Sequence, residues 1–513
     1  MNVRKFVATV WWLALLVALP VAAQDAKPSQ PAETTPAATA AREQNEDPPV
    51  VTRHAITIDG ERLAYTATAG TIPLIDTSGK RLASMFFVAY SLEDASQTRR
   101  PVTFAFNGGP GASSMWLHLG VGPKTVPLPE QGTALPRDST LVDNAYTWLP
   151  FTDLVFVDPV GAGYSRAAEG VDESQFYDAV RDIDAAAAFV RRYLTRYDRW
   201  RAPKIILGES YGTTRAAALV NRLQESEGID PVGAILISSV LDFHTIAFDD
   251  ASVLPYVLAL PSYAATAWYH RRLDGDLPQV LREAERWAMQ DYLVGLSQGA
   301  SLPDAQRAQL IAQLARFTAL ERDELAQHGL RVGPTRFGRL VLGPDAPRVG
   351  RFDSRVTTPG AARGRGDGDT DPSFFLVTGP WLEALVPYLR ENLNYRSDLR
   401  YEYLSRTANR SWKWRPPGAQ GYLYVADELA EAMARDPRLR VFAAAGVYDL
   451  ATPYLAQKYA LDQMALDPTL RAHLRFETYT AGHQIYTDPD SAKQLRDDVE
   501  AFVRCAASPT CRN

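Results

Sequence analysis

Cysteine is nearly absent from this chain of 513 residues, which contains two, Cys505 and Cys511, both at the C-terminal end. Two thiols exclude a fold that depends on many disulfides, although this pair can form one that closes a short terminal loop. The Asp-rich stretch 363–371 has the spacing of a calcium loop, but Thr378 stands at the twelfth position, where such loops need a glutamate. We therefore expect no metal and no other cofactor.

The chain also lacks a strong excess of positive or negative charge. The net charge is -6, and the 22% of charged residues are mixed in sign. Without a basic stripe, nucleic acid is excluded as a partner. The length allows one large domain with an insertion, whereas the composition does not indicate an oligomeric state.

Beyond the N-terminus, the chain lacks an apolar run long enough to span a membrane. At the N-terminus, Arg4 and Lys5 precede the apolar segment 6–19, and the small residues that follow suit a cleavage site. This pattern predicts a signal peptide over residues 1–23, with an uncleaved anchor as the alternative. Residues 24–50 are predicted to be a disordered linker, because they are rich in Ala, Pro and Thr. We expect a periplasmic or secreted protein with no stable membrane association after cleavage.

Residues 208–212, GESYG, are the most informative stretch. An apolar run precedes them and a helical pattern follows, and this order of strand, G-x-S-x-G and helix is typical of a nucleophile elbow. Small residues are needed there because a larger side chain would collide with the neighbouring strand or helix. A second G-x-S-x-G at 295–299 follows a helical stretch instead of a strand. We therefore interpret Ser297 as a helix end and Ser210 as the nucleophile.

A nucleophilic serine needs a base and an orienting acid, and α/β-hydrolases order them as Ser, acid, His. Of seven histidines, only His473 and His483 lie near the C-terminus. His473 falls in a solvated helical turn, whereas His483 follows the strand-like run 474–478, so we predict His483 as the base. Asp449 follows the buried, strand-like run 439–445 and is predicted to be the acid. A turn aspartate or helix N-cap is the alternative for Asp449.

An oxyanion hole is predicted from residues 107–111, NGGPG, which follow the strand-like run 102–106. Glycine lets the backbone approach a substrate closely, and the loop is similar to the glycine-rich oxyanion loop of lipases and esterases. We expect the backbone N–H groups of Gly109 and Tyr211 to be the donors. An ordinary glycine turn is the alternative.

Strand and helix patterns alternate over most of the chain. They predict the α/β class: an antiparallel opening over 54–92, then a mostly parallel sheet with helices on both faces, including one helix over 173–197. Helical patterns dominate 242–418, which we interpret as a cap inserted into a catalytic core of 51–241 and 419–513. Three tryptophans are expected to pack within the cap, with a role in lining the substrate pocket as the alternative: Trp381, Trp412 and Trp414.

Together these motifs resemble the serine carboxypeptidase family. The matching segments are 107–114, 158–165, 208–211 and the loops that contain Asp449 and His483. They occur in order and cover most of the chain. The resemblance implies a secreted α/β-hydrolase that removes residues one at a time from the C-termini of peptides. The implied partners are therefore peptides with a free C-terminus.

The resemblance also implies roles for Asn107 and Glu209, which in this family hold the terminal carboxylate of the substrate. A carboxylate cannot hydrogen-bond another carboxylate unless one of them is protonated, so we expect Glu209 to be protonated when substrate is bound. Peptide binding should then weaken as the pH rises, which predicts an acidic preference for peptides but not for esters that lack a carboxylate. The alternative is that Glu209 is the variable second residue of any G-x-S-x-G.

The sequence departs from the family pattern in several places. Ala112 replaces a cysteine of many members, and residues 120–121 lack an acidic residue found in many eukaryotic members. The usual hydrogen-bonding partner of Glu209 is then missing. His118 is a candidate substitute, although we favour its interpretation as a core histidine. Residues 211–214 are YGTT instead of the commoner start Tyr-Ala-Gly.

Two other functions are compatible with these residues. An esterase or acyltransferase uses the same triad, because the acyl-enzyme can be captured by an alcohol instead of water. An inactive binding protein on this fold is the second alternative, although the complete triad argues against it.

Overall fold

A computed structural model describes residues 48–93, 99–127, 140–358, 371–415, 418–508 and 510–511. The predicted signal peptide, the linker up to residue 47 and residues 363–370 of the Asp-rich stretch lie outside them. In the described part of the chain, no helix combines the length and apolar character needed to cross a membrane.

The strands lie in one large sheet and one small hairpin. Along the chain they are β1 Val50–Ile58, β2 Glu61–Ile75, β3 Arg81–Leu92, β4 Val102–Phe106, β5 Lys124–Thr125, β6 Val142–Asp143, β7 Asp153–Val157, β8 Arg166–Ala167, β9 Lys204–Glu209, β10 Gly233–Ile237, β11 Arg440–Gly446 and β12 Leu474–Tyr479. β1 thus begins at Val50, the last residue assigned to the linker.

The large sheet is mixed and mostly parallel. Among the described residues its order is β1-β2-β3-β7-β4-β9-β10-β11-β12, with β8 paired to β3. β1, β2, β3 and β7 pair antiparallel, and every neighbouring pair from β7 to β12 is parallel. The predicted fold class, including the antiparallel opening, is confirmed.

Helices surround this sheet and fill the long stretch between β10 and β11. They are α1 Met115–Val121, α2 Ala179–Arg196, α3 Tyr211–Arg222, α4 Leu254–Tyr269, α5 Leu277–Trp287, α6 Leu293–Gln298, α7 Asp304–Thr318, α8 Arg322–Gln327, α9 Pro334–Leu340, α10 Pro372–Pro387, α11 Arg406–Arg410, α12 Ala426–Arg435, α13 Tyr454–Asp462, α14 Pro468–Arg471 and α15 Pro489–Ala506. The inserted cap over residues 242–418 stays a prediction.

The central strands are buried because helices cover both faces. All five residues of β4, β7 and β10 are buried, which explains their continuous apolar sequences. One apolar cluster includes Val499 of α15, and another includes Phe189 of α2 and Leu219 of α3. The sheet therefore presents its strand ends, not its faces, to a substrate.

The prediction of one helix over 173–197 is wrong in one respect. A short 3-10 turn, Glu173–Phe176, is separated from α2 by Asp178, whose backbone is extended. The Asp178 carboxylate accepts hydrogen bonds from the N–H groups of Val180 (3.0 Å) and Arg181 (3.2 Å). Aspartate satisfies otherwise unpaired amides in this way at a helix start, so α2 begins after it.

The two cysteines lie at the end of the last helix. Cys505 and Cys511 form a disulfide, with their Cα atoms 5.2 Å apart. It ties residues beyond α15 back to that helix and makes no link within the sheet.

Candidate active site

Ser210 lies on a sharp turn between β9 and α3. Its backbone has φ 59° and ψ -130°, a strained combination for a residue with a side chain. A Cβ atom added to Gly208 would lie 2.1 Å from the carbonyl oxygen of Gly212, and one added to Gly212 would lie 2.2 Å from the oxygen of Phe106. Glycine is therefore required on both sides of the serine, which is the steric reason for the GESYG sequence.

His483 and Asp449 form a buried hydrogen-bonded pair. His483 Nδ1 lies 2.6 Å from Asp449 Oδ2, and Asp449 is completely buried. Asp449 also accepts hydrogen bonds from the N–H groups of Ala451 (2.7 Å) and Thr452 (3.0 Å) and from the Thr452 hydroxyl (2.7 Å). These donors fix the carboxylate, which in turn orients the imidazole so that Nε2 is available to accept a proton.

The pKa of His483 is raised above its usual 6.5. Burial acts to lower it, but the charge of Asp449 and the hydrogen bond to it outweigh burial, and the charge of Glu209 adds to the increase. A base with a raised pKa accepts a proton from a serine hydroxyl more readily, at the cost of being protonated more easily in acid.

The three residues meet because of the parallel sheet. Ser210 follows β9, Asp449 follows β11 and His483 follows β12, so all lie at the carboxyl edge, where ligands bind in open α/β sheets. Ser210 and His483 line one cavity of about 620 Å³, together with Gly109 and Tyr211. The cavity is large enough for the end of a peptide.

The predicted oxyanion loop contacts the nucleophile turn directly. A Cβ atom added to Gly108 would lie 2.5 Å from the amide nitrogen of Tyr211, so the two segments touch. Gly109 has φ +100°, a conformation that favours glycine. Tyr211 is the first residue of α3, so its N–H has no partner within that helix. Gly109 and Tyr211 both line the cavity, and their role as oxyanion donors stays a prediction.

Asn107 and Glu209 form a second buried pair beside the serine. Asn107 Nδ2 donates to Glu209 Oε1 (2.9 Å), and Asn107 Oδ1 accepts from the N–H of Leu117 (3.0 Å). The Tyr486 hydroxyl donates to Glu209 Oε2 at 2.5 Å. Burial raises the pKa of Glu209 to about 7, while the charge of His483 and the hydrogen bonds from Tyr486 and Asn107 act to lower it. Near neutral pH, Glu209 therefore carries a proton for much of the time.

His118 is a core histidine, as the sequence favoured, and not the partner of Glu209. His118 Nε2 lies 2.6 Å from the hydroxyl of Tyr90, and its ring stacks on Phe156 with centroids 4.7 Å apart. Burial lowers the pKa of His118 to about 3, so it is a neutral core histidine. Tyr486 fills the position that the sequence analysis left empty. The sequence carries no local signal for this contact, since Tyr486 lies 277 positions from Glu209.

A buried ion pair under the site was also missed. Arg215 Nε donates to Asp182 Oδ2 (2.8 Å), and Arg215 Nη1 donates to the backbone oxygen of Asn107 (2.8 Å). The guanidinium carbon of Arg215 lies 5.3 Å from the centre of the Tyr211 ring. Burial raises the pKa of Asp182, and the charge of Arg215 opposes that increase. This pair holds the start of the oxyanion loop against α3.

The three tryptophans of the predicted cap have different surroundings. Trp381 stacks on Tyr486 (6.2 Å between centroids) and Trp412 packs edge-on against Tyr211 (5.3 Å). Trp414, in contrast, lines the cavity. Trp381 and Trp412 thus pack instead of lining the cavity, but their partners here lie outside the predicted cap, within which the packing was expected.

Two further expectations concern residues outside the cavity. Ser297 lies at the end of α6, where its hydroxyl donates to the backbone oxygen of Leu293 (2.7 Å). Across the described ranges, no group of three or more His, Cys, Asp or Glu side chains is arranged to bind a metal.

The family model for serine carboxypeptidases matches residues 66–285, which contain the oxyanion loop and the nucleophile turn. Over this stretch, which is less than half of the chain, the sequence is similar to that of serine carboxypeptidases. Serine carboxypeptidase-like 34 of Arabidopsis thaliana is 30% identical over 145 residues, 28% of this chain and 27% of that protein. A carboxypeptidase Y homolog of Arthroderma benhamiae is 28% identical over 181 residues, 33% of each. The matches thus span about a quarter to a third of these relatives.

A solved structure supports the same fold over more of the chain. Kex1(delta)p, a prohormone-processing carboxypeptidase from Saccharomyces cerevisiae, superposes with a TM-score of 0.54 and covers 86% of this chain and 91% of its own. The sequence identity is 15%, so this likeness concerns the α/β-hydrolase fold alone.

Proposed function

We propose that this protein is a serine carboxypeptidase that releases the last residue of peptides. The observation that carries the proposal is the Asn107–Glu209 pair, because it adds a carboxylate-binding group to a serine hydrolase site. Glu209 directly precedes Ser210, so a terminal carboxylate bound there lies next to the nucleophile. A protonated Glu209 can donate a hydrogen bond to that carboxylate, and the raised pKa of about 7 supports this protonation state.

In this mechanism Ser210 Oγ attacks the carbonyl carbon of the last peptide bond while His483 Nε2 accepts its proton. The N–H groups of Gly109 and Tyr211 stabilise the oxyanion. His483 then donates the proton to the leaving amino acid, and the acyl-enzyme forms. Water, activated by His483, hydrolyses the ester and restores the serine. Asp449 keeps the imidazole oriented and stabilises its charged form.

The protonation requirement of Glu209 extends the proposal to an acidic preference for peptides. The active form needs a neutral His483 and a protonated Glu209 together. Peptide hydrolysis should therefore decline as Glu209 ionises, whereas hydrolysis of an ester without a carboxylate should not decline for that reason.

The test compares a blocked dipeptide with its C-terminal amide from about pH 4 to about pH 8, with products identified by mass spectrometry. Cleavage of the free acid alone supports the proposal. If only a p-nitrophenyl ester is cleaved, the protein is an esterase or acyltransferase instead. Ser210→Ala should also abolish labelling by a serine-reactive phosphonate, and a wild-type protein that fails to label and to cleave would be an inactive binding protein.

We also propose that residues 242–418 form a cap over this site. Several side chains from the stretch border the cavity, among them Phe374, Phe375 and Trp414. A cap made of such residues would exclude water and contact the substrate side chains. Replacing Phe375 with alanine should change the preference among peptides more than the hydrolysis of a small ester.

Export is the last element of the proposal. It is supported by the N-terminal sequence pattern and by the Cys505–Cys511 disulfide, since disulfides persist mainly in oxidising compartments. Cell fractionation with N-terminal sequencing of the mature protein tests it. A cytoplasmic protein that retains Met1 would contradict it.

A further inference from the structure

The described walls of the cavity contain more arginine than the overall charge suggests. Four of the lining residues are arginines, and they come from two separate segments: Arg348, Arg351, Arg406 and Arg410. The lining carboxyl groups are Glu209 and Asp371. In a chain with a net charge of -6, this is a local reversal of sign.

Neither carboxyl group is positioned to cancel these charges. Glu209 is engaged by Asn107 and Tyr486, and burial raises its pKa to about 7. Asp371 caps the start of α10, where it accepts hydrogen bonds from the N–H groups of Phe374 (3.0 Å) and Arg351 (2.6 Å). These bonds hold the Asp371 carboxylate at the helix start, and this one carboxylate does not balance four arginines.

Among the described residues, the side chains of Arg348, Arg351 and Arg410 form no ion pair. The hydrogen bond between Arg351 and Asp371 comes from the backbone N–H of the arginine, not from its guanidinium group. Many other arginines of this protein are paired. Arg199 with Asp153 (2.6 Å) and Arg355 with Asp488 (2.9 Å) are examples. Arginines that face a cavity without a counter-ion leave their positive charge for a ligand.

The two segments border the catalytic residues on different sides. Arg351 precedes Phe352, whose backbone oxygen accepts from the N–H of His483 (2.6 Å). The charge of Arg351 reaches His483, because it acts to lower the pKa of that imidazole.

Arg406 and Arg410 begin and end α11, which is tied to the oxyanion loop. The N–H of Ser405 donates to the backbone oxygen of Gly111 (2.8 Å), and Asn409 Nδ2 donates to that of Pro110 (3.2 Å). Positive charge therefore lies both beside the base and beside the oxyanion loop.

We propose that this arginine-lined cleft selects peptides that carry an acidic side chain next to the scissile bond. The guanidinium group binds carboxylates through paired hydrogen bonds, and in a cleft that excludes part of the water such pairs discriminate by charge. The inference rests on the proposed function, since it specifies the side chain of a substrate whose terminal carboxylate is held by Asn107 and Glu209.

The experiment measures kcat/KM for blocked dipeptides with Glu, Gln or Lys as the penultimate residue and, in a second series, as the last residue. Gln is the matched control for Glu because it has the same shape without the charge. We expect Glu to exceed Gln by about fivefold to tenfold in at least one series, and Lys to be slowest, as about 1 kcal/mol per partly exposed pair allows. The preference should shrink between about 20 mM and about 500 mM NaCl.

Charge reversal gives the decisive comparison. In Arg351→Glu and Arg410→Glu the ratio of the Glu substrate to the Lys substrate should fall at least about tenfold, and it should invert where the residue contacts that side chain. A ratio within one variant is insensitive to a general loss of activity, so a partly misfolded protein cannot imitate an inversion.

Arg201→Glu is the control, because this exposed arginine precedes β9 and lies at the opposite end of the strand from Ser210. Its Glu-to-Lys ratio should equal that of the wild type. Equal rates for Glu, Gln and Lys in the wild type would overturn the inference while leaving carboxypeptidase activity intact. Failure to cleave any free-acid peptide, in contrast, would overturn the proposed function itself.

Discussion

Replacing Glu209 with glutamine tests the protonation of the site most directly. In the wild type the pKa of Glu209 is about 7, and only its protonated form can donate a hydrogen bond to a substrate carboxylate. The glutamine amide donates without a proton that can be lost. Its shape also fits, because the Tyr486 hydroxyl can either donate or accept a hydrogen bond.

The size of the effect follows from the pKa. Above about pH 7 the protonated fraction of Glu209 falls tenfold per pH unit, so wild-type kcat/KM for peptides should be more than about tenfold lower near pH 9 than its maximum. In Glu209→Gln this alkaline decline should disappear. In the pH–rate profile for the ester, we expect the acidic limb to change instead. The reason is that the charge of Glu209 helps raise the pKa of His483. Without that charge, the acidic limb should move to lower pH.

The assay is a pair of pH–rate profiles, one for a blocked dipeptide and one for a neutral ester, recorded for the wild type and Glu209→Gln. Because the protonation of His483 and that of Glu209 influence each other, the apparent pKa values of the wild-type profiles describe the pair and not either residue alone. Glu209→Asp is a useful control, because it keeps an ionisable group and should keep an alkaline decline. If peptide hydrolysis by Glu209→Gln falls above about pH 7 as in the wild type, the proton that matters is not on Glu209.

Three further substitutions test the surroundings of the site. Tyr486→Phe removes a hydrogen bond that lowers the pKa of Glu209, so the alkaline limb of peptide hydrolysis should move up by as much as about one pH unit. Gly208→Ala forces a Cβ atom to 2.1 Å from a backbone oxygen, and thermal unfolding should show a loss of about 3 kcal/mol or more. Arg215→Met leaves the Asp182 carboxylate buried without its counter-charge, so urea unfolding should show a loss of about 3 to 5 kcal/mol.

Each of these substitutions has an outcome that contradicts its reasoning. An unchanged or lowered alkaline limb in Tyr486→Phe would mean that the tyrosine does not tune Glu209. Wild-type stability of Gly208→Ala would contradict the close packing of the turn. For the ion pair, the apolar double variant Asp182→Leu/Arg215→Met should recover stability but not peptide hydrolysis, because the backbone oxygen of Asn107 still lacks its donor. If the double variant recovered both wild-type stability and wild-type peptide hydrolysis, the ion pair would have a structural role only.

The nucleophile turn could be predicted from the sequence because its requirement is local. Only glycine fits at positions 208 and 212, so the motif records the backbone geometry directly. The parallel strands were predictable for a similar reason, since their burial on both faces makes their sequences continuously apolar. Asp178 shows the limit of periodicity: one capping side chain ended a pattern that otherwise continued across it.

The contacts of Glu209 were not predictable in the same way. Tyr486 lies 277 positions further along the chain, and the role of His118 depended on whether its ring was buried against Phe156 or exposed to the site. The pair of Asp182 and Arg215 also joins two helices. A single sequence records the residue types at such positions but not their distances.

The sequence by itself determined the fold class and the positions of Ser210, Asp449 and His483 after three strands of the sheet. These features depend on local backbone geometry and on which residues can be buried in a strand. The tertiary structure decided which side chains surround Glu209 and that four arginines share its cavity. Protonation and charge selection arise from burial and from distances between remote segments, and those quantities exist only once the chain is folded.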